Sequence, residues 1–459
     1  MKIKKDSAMT EKTFERKVFY RTFAVLAIPL VCQNVITISV NLADNIMLGA
    51  YRESALAGVA AVNQLQYLFQ MLIVAFTEAM VLFLTQYWGE KRREPMAAIT
   101  AHAMRAALLL SFLFFFAVSL FPAGVLRFFT DDGAIAREGT AYLAIIRWSY
   151  PFFAVTQVLL SRLRCVGHVR IAFILSLQTL GINVVLNYFL IFGRGGVPEL
   201  GSRGAAVATL ISRVLEVLTL FGYIYARREE LQIRARDFLT FDRALLGDYL
   251  RVVRPMLVVQ GLWGLNTAFQ TAILGHMSSA AIAANSAASN LYLLVKSTAV
   301  GSMSAASVMT GQAVGEGDVA RVRRQSREMQ RLFVLTGLVM SVVLFFLRRP
   351  VLSLYDLEPE TLVLADHFIL ILCVLNVFMA YMLPTNNGII RGGGTVRFGV
   401  IVDLVSIWLI VMPLSLLAAF VFKASPEIVV FCLNSDQIFK CVPVFIMANY
   451  GSWIKKLTR

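Results

Sequence analysis

The sequence predicts an all-α integral membrane protein of about twelve spans, arranged as two pseudo-symmetric six-helix lobes. Three observations carry that reading. Long apolar runs recur along the whole chain, basic residues fall on alternate connecting segments, and the second half repeats the first. Of the 459 residues 58% are hydrophobic and only 15% charged, and the mean hydropathy is +0.70, a balance that belongs in a bilayer.

The runs, each long enough for about 30 Å of hydrocarbon, cover 23–49, 54–86, 97–121, 138–160, 170–193, 203–226, 250–275, 280–313, 330–348, 361–390, 397–422 and 426–449. The first is too long for the apolar core of a cleavable signal peptide and is expected to remain as a helix. The five cysteines, Cys32, Cys165, Cys373, Cys432 and Cys441, are scattered and odd in number, which suggests neither a disulfide frame nor a metal site.

The net charge of +15 follows membrane topology rather than a nucleic-acid surface. With both termini cytoplasmic, the inner segments hold clusters such as Lys91 to Arg93, Arg227 to Arg254 and Arg321 to Arg331, together with Lys2, Lys4, Lys5 and Lys12 near the start. Inner and outer basic residues then stand at roughly 30 to 8, as the positive-inside rule requires. A multi-pass protein of the cell inner membrane is expected.

At an offset of 226 to 227 residues the chain matches itself. Pro29 falls on Pro255, LGAYRESALAGVAAVNQL (48–65) on LGHMSSAAIAANSAASNL (274–291), and Arg164, Gly167, Val169 and Arg170 on Arg391, Gly394, Val396 and Arg397. Six spans per half run the same way through the membrane, the layout of a two-lobed transporter. The expected domains are an N-terminal lobe over 1–226, a basic linker over 227–249 and a C-terminal lobe over 250–459.

Polar groups inside the spans locate a site. A carboxylate near a helix centre costs about 2.5 to 3.5 kcal/mol to insert, so it needs a partner, a wet cavity or a proton. In span 1, Asn34, Thr37, Asn41 and Asp44 step by three, four and three, which puts them on one face. Span 5 carries Ser176, Thr179, Asn183 and Asn187 at helical spacing, and span 2 adds Asn63, Gln66, Tyr67, Gln70 and Thr77. Asp44 and Asn187 lie at similar depth in the outer half of the first lobe. Amides of this kind also serve as interhelical glue, worth about 0.6 kcal/mol each, but Asp44 has no evident counter-ion and is a proton-acceptor candidate. Further cleft candidates are Gln260 in span 7 and Asn285 and Lys296 in span 8.

The other charges in the spans have nearby partners. Arg213 and Glu216 are i, i+3 neighbours and Asp436 and Lys440 i, i+4 neighbours. Arg105 and Arg147 are candidate partners for Glu78 and Asp403, and Lys296 for Asp436 or Asp403. His102, His168, His276 and His367 lie on different segments, and no catalytic or metal-ligating cluster appears, so neither an enzyme nor a bound cofactor is expected.

Read together, Pro29 with LADNIMLG, RCVGHVR (164–170), NVVLNYFLIFG and GSRGAAVATLISR (183–213), ALAGVAAVNQL with its echo AIAANSAASNL, and GQAVGEGD (311–318) resemble the multidrug and toxic compound extrusion (MATE) exporters of bacterial type. That resemblance, which covers nearly the whole chain, implies the fold of that family: a V-shaped pair of six-helix lobes that exports amphipathic organic cations in exchange for H+ or Na+ by alternating access. Asp44 and Asn183 match family positions, with Na+ binding at Asp44 the possible metal contact. Asn187 stands where some proton-coupled members carry a second aspartate, and span 7 lacks the acid some sodium-coupled relatives place there. The expected partners are a small-molecule substrate and membrane lipid, with no nucleic acid, and the protein is expected to act as a monomer. The alternative within the superfamily is an exporter or flippase of a lipid-linked or anionic metabolite.

Overall fold

The computed structural model describes residues 2–127, 132–231, 233–353 and 358–459; the side chains of Lys2, Lys4, Lys5 and Lys12 lie outside the described ones. Among the described residues the chain is helical, with no strand. In order the helices are α1 Lys2–Tyr51, α2 Glu53–Gly89, α3 Glu94–Leu120, α4 Pro122–Arg127, α5 Gly133–Ile146, α6 Ser149–Cys165, α7 Arg170–Phe192, α8 Ser202–Ala226 and α9 Arg228–Leu231. They continue as α10 Arg243–Met277, α11 Ser279–Glu316, α12 Val319–Leu352, α13 Pro359–Leu383, α14 Val396–Leu404, α15 Met412–Leu416, α16 Pro426–Asn434 and α17 Asp436–Tyr450.

All twelve expected spans fall on helix. Among the described residues ten helices are long and apolar enough to cross a membrane, or eleven when the bent pair α5 and α6 counts as one span. That pair, turned by 54°, is a difference from the sequence reading, which gave one straight run at 138–160. Two later spans carry π-helical turns, at Pro384–Ile390, Val405–Val411 and Leu417–Val421, a local widening that frees backbone groups and is frequent near functional sites.

Local chemistry sets the ends. Asp132 Oδ1 accepts from the backbone N–H of Ala134 at 2.7 Å and starts α5; Asp318 does the same for α12 through Arg321 N at 2.9 Å. Gly193 (φ 66°) and Gly317 (φ 84°) end α7 and α11 in the left-handed conformation that lacks a Cβ penalty.

Two compact units result, Val35–Gly264 and Met1–Asn34 with Leu265–Arg459. Both divisions fall inside the long helices α1 and α10, whereas the repeat places them at the 227–249 linker, because packing in each unit is satisfied by only part of either helix. In the Val35–Gly264 unit, α2 packs on α5 and α6, and α8 on α5, α6 and α7. The contacts are tight enough to exclude side chains: a Cβ on Gly58 would meet Gly139 N at 2.7 Å, and one on Gly204 would meet Leu190 O at 2.5 Å. In the other unit α13 packs on α11, α12 and α17 around a core that includes Leu291, Phe368, Ile369 and Leu433.

Candidate functional site

The site lies within the Val35–Gly264 unit, where α7 and α8, drawn together at Gly204, face the outer part of α1. Asn187 Nδ2 donates to Asp44 Oδ1 at 2.5 Å and to Asn183 Oδ1 at 3.0 Å, and Asn183 Nδ2 donates onward to Thr209 Oγ1 at 3.2 Å. Asn187 and Asn183 are 0% and 1% exposed, and Asp44 is half-buried. The phenol of Tyr142 lies beside Asp44, Gln66 and Thr209.

Several polar atoms here remain open: Asn187 Oδ1, Thr179 Oγ1 and Gln66 Nε2 are buried with no hydrogen-bond partner. A buried acceptor left in this state costs about 1 to 3 kcal/mol, so the pocket has unused capacity for a proton, a cation or water.

Among the described residues no cation lies within 4.0 Å of Asp44. Arg213, bound to Glu216 at 2.7 Å and stacked over Phe153, is nonetheless close enough for its charge to act on Asp44. The expectation that Asp44 has no counter-ion therefore needs a correction: a cation stands near it without pairing, because Glu216 already holds it. The span-6 spacing contains the clue, since Thr209, Arg213 and Glu216 lie on one helical face. Tyr142 left no such trace.

The remaining expected residues disperse. Asn34 Nδ2 turns to its own helix, donating to Leu30 O at 2.9 Å, and belongs to the other unit. Thr37 and Asn41 are exposed. Gln70 is half-buried, and Gln260 reaches Met71 O at 3.5 Å. Thus Asn34, Thr37 and Asn41 share a helical face with Asp44 but stand outside the hydrogen-bond chain of Asp44, Asn187, Asn183 and Thr209.

The second unit holds a separate cluster of charges. Lys440, 2% exposed, pairs with Asp403 at 2.8 Å and Asp436 at 2.9 Å. Gln437 donates to both oxygens of Asp436, and Lys296 and Tyr292 on α11 adjoin that carboxylate. Asn285 is half-buried on the same helix. Glu78 pairs with Arg164 at 2.6 Å, and Asp403 with Lys440, rather than with Arg105 or Arg147. Arg105 instead donates to Phe238 O and Arg147 stacks over Phe115, while Arg164 and Lys440 hold the two carboxylates. The five cysteines are free.

Two repeated halves of apolar helices, with the half-buried Asp44 carboxylate hydrogen-bonded to an amide inside the first, define a multi-pass helical membrane protein of the transporter class. The MatE family model matches it twice, over residues 29–189 and 255–417, and the chain belongs to that family. The two matches start 226 residues apart, in register with the internal repeat. It is 24% identical over 436 residues to the probable multidrug resistance protein NorM of Thermotoga maritima, covering 95% of this chain and 93% of that one. It is 26% identical over 425 residues to the probable multidrug resistance protein YoeA of Bacillus subtilis, covering 90% of each. Its fold is similar, at a TM-score of 0.85 and 18% identity, to a MOP superfamily transporter of Pyrococcus furiosus whose reversed pocket polarity suggests a different function; the match covers 95% of this chain and 96% of that one.

Proposed function

We propose that the protein is a multidrug antiporter that exports amphipathic organic cations in exchange for H+ or Na+ by alternating access. One observation carries the reading: Asp44 accepts a hydrogen bond from Asn187, which Asn183 holds in turn, and lies beside Tyr142, yet among the described residues it has no ion pair. A carboxylate within a membrane span that is hydrogen-bonded but not neutralised changes charge with whatever enters and leaves. When a proton or sodium ion occupies it, its charge is neutralised and it releases cationic cargo; when it is ionised, it attracts it. The names of the NorM and YoeA relatives support multidrug cargo, and the charge distribution supports an inner-membrane protein with both termini cytoplasmic.

The test is efflux of a fluorescent organic cation from proteoliposomes under an imposed pH or sodium gradient. Asp44→Asn is expected to abolish gradient-driven transport while the protein still inserts and folds. Full gradient-driven efflux by that variant overturns the proposal.

A second reading, an exporter of an anionic or lipid-linked metabolite, draws support from Arg213 in the same pocket and from the Pyrococcus furiosus neighbour. Under it, an anionic dye is carried in preference to a cationic one, and Arg213→Gln reduces that transport more than Asp44→Asn.

A further inference from the structure

Where α8 ends, the chain runs through α9 into a short 3₁₀ turn, Ala235–Leu239, that packs on α3 and is tied to α6 through Asp237 and Arg162, and a groove of about 950 Å³ opens beside them. Its wall is apolar, built from Leu159, Phe221, Ile224, Tyr225 and Phe238. The rim carries Arg228, Arg234 and Glu229.

These arginines differ from the others nearby. Arg227 is held by Glu230 at 2.9 Å, and Arg162 by Asp237 at 3.4 Å. Arg228 stacks over the Tyr225 ring at 5.2 Å, and among the described residues neither its guanidinium nor that of Arg234 has a carboxylate within 4.0 Å, the Asp237 carboxylate accepting instead from the Arg234 backbone N–H at 3.1 Å. The groove is also continuous with a lipid-facing surface, since Phe221 is 50% and Tyr225 71% exposed along α8.

The geometry points to a binding site for one anionic phospholipid of the adjoining leaflet, its acyl chain in the groove of α6, α8 and the 3₁₀ turn and its phosphate on Arg228 and Arg234. Three features select that occupant. The wall needs a long apolar chain, the rim needs an anion, and both lie at the end of a span, where a lipid's headgroup and tail separate. Arginine suits phosphate because its planar fork donates two parallel hydrogen bonds. Basic residues just outside a span attract anionic lipid by about fivefold each. The acid on the rim, Glu229, disfavours a doubly charged headgroup and leaves room for a monoanionic one such as phosphatidylglycerol.

The test uses the full chain in detergent, with native mass spectrometry and thermal unfolding read during titration with phosphatidylglycerol or phosphatidylcholine. The wild type is expected to retain one phosphatidylglycerol in preference and to gain thermal stability from it. The double variant R228Q/R234Q is expected to bind it about 25-fold more weakly, two arginines at fivefold each, with unchanged elution on gel filtration. Ile224→Glu, at the apolar wall, is expected to lose binding of both lipids. Glycerol phosphate, which has the headgroup chemistry but no chain, is expected to give no protection. Equal retention of the two lipids by the wild type, undiminished phosphatidylglycerol binding by R228Q/R234Q, or full protection by glycerol phosphate overturns the assignment.

Discussion

Both amide hydrogens of Asn187 are committed, one to Asp44 and one to Asn183, so this side chain organises the site. Replacing it with leucine strands Asn183 Oδ1 and removes the donor from Asp44. Asn187→Leu is expected to lower stability by about 1 to 3 kcal/mol and gradient-driven efflux at least tenfold, read by thermal unfolding and proteoliposome transport. Thr209→Val, which removes one neutral hydrogen bond, is expected to cost about 0.5 to 1.5 kcal/mol. In the other unit Lys440→Met leaves Asp403 and Asp436 buried without their cation and is expected to destabilise by about 3 to 5 kcal/mol; adding Asp403→Asn and Asp436→Asn is expected to restore much of that. Asp44, Asn183 and Asn187 are legible in the sequence because a polar group at helical spacing stands out in an apolar run. Tyr142 is not, because a tyrosine near a span end reads equally well as an interfacial anchor. Thr37 and Asn41 share Asp44's face but are exposed where Asp44 is half-buried: spacing fixes direction around a helix, while burial also depends on what packs at that height.

At the scale of elements, close helix approach holds the site together. Gly204 lets α8 rest against the backbone of α7 at Leu190, and those two helices carry Thr209 and the asparagines. Membrane helices depend on such small-residue contacts because lipid supplies no hydrophobic drive between them. Gly204→Leu is expected to abolish folded, transport-competent protein, measured as monodisperse yield and efflux, with Gly204→Ala intermediate; normal activity in Gly204→Leu would show that α7 and α8 need not touch there. The positions of the helices are visible in the hydropathy of the chain. The 54° turn between α5 and α6 is not visible there; its marker is Pro151, three residues past the break at Arg147 and Trp148, which lacks an N–H for the Arg147 carbonyl and clashes with it. The π turns are silent in the hydropathy, since they change hydrogen-bond register and not composition.

At the scale of the molecule, the repeat was the most legible feature, and the two MatE matches follow it. The proposed orientation has its own test: in a cysteine-free background, Arg236→Cys is expected to react with a membrane-impermeant maleimide only in inverted vesicles, and Arg194→Cys only in right-side-out cells. The opposite pattern would invert the topology. Within the repeat the position of Asp44 is occupied in the second half by Gln270, which donates to Leu433 O at 3.3 Å, while Asp403 and Asp436 of that half are tied to Lys440. Under the proposed function Asp44 is then the exchangeable charge of the cycle, with no carboxylate at the repeated position. An exchanger with a single such carboxylate swaps one proton or sodium ion for one monovalent cargo and moves no net charge. A membrane voltage, worth about 2.3 kcal/mol per charge per 100 mV, would then do no work on the cycle, and only the concentration gradient of the coupling ion would drive it; a divalent cargo would make the same exchange electrogenic.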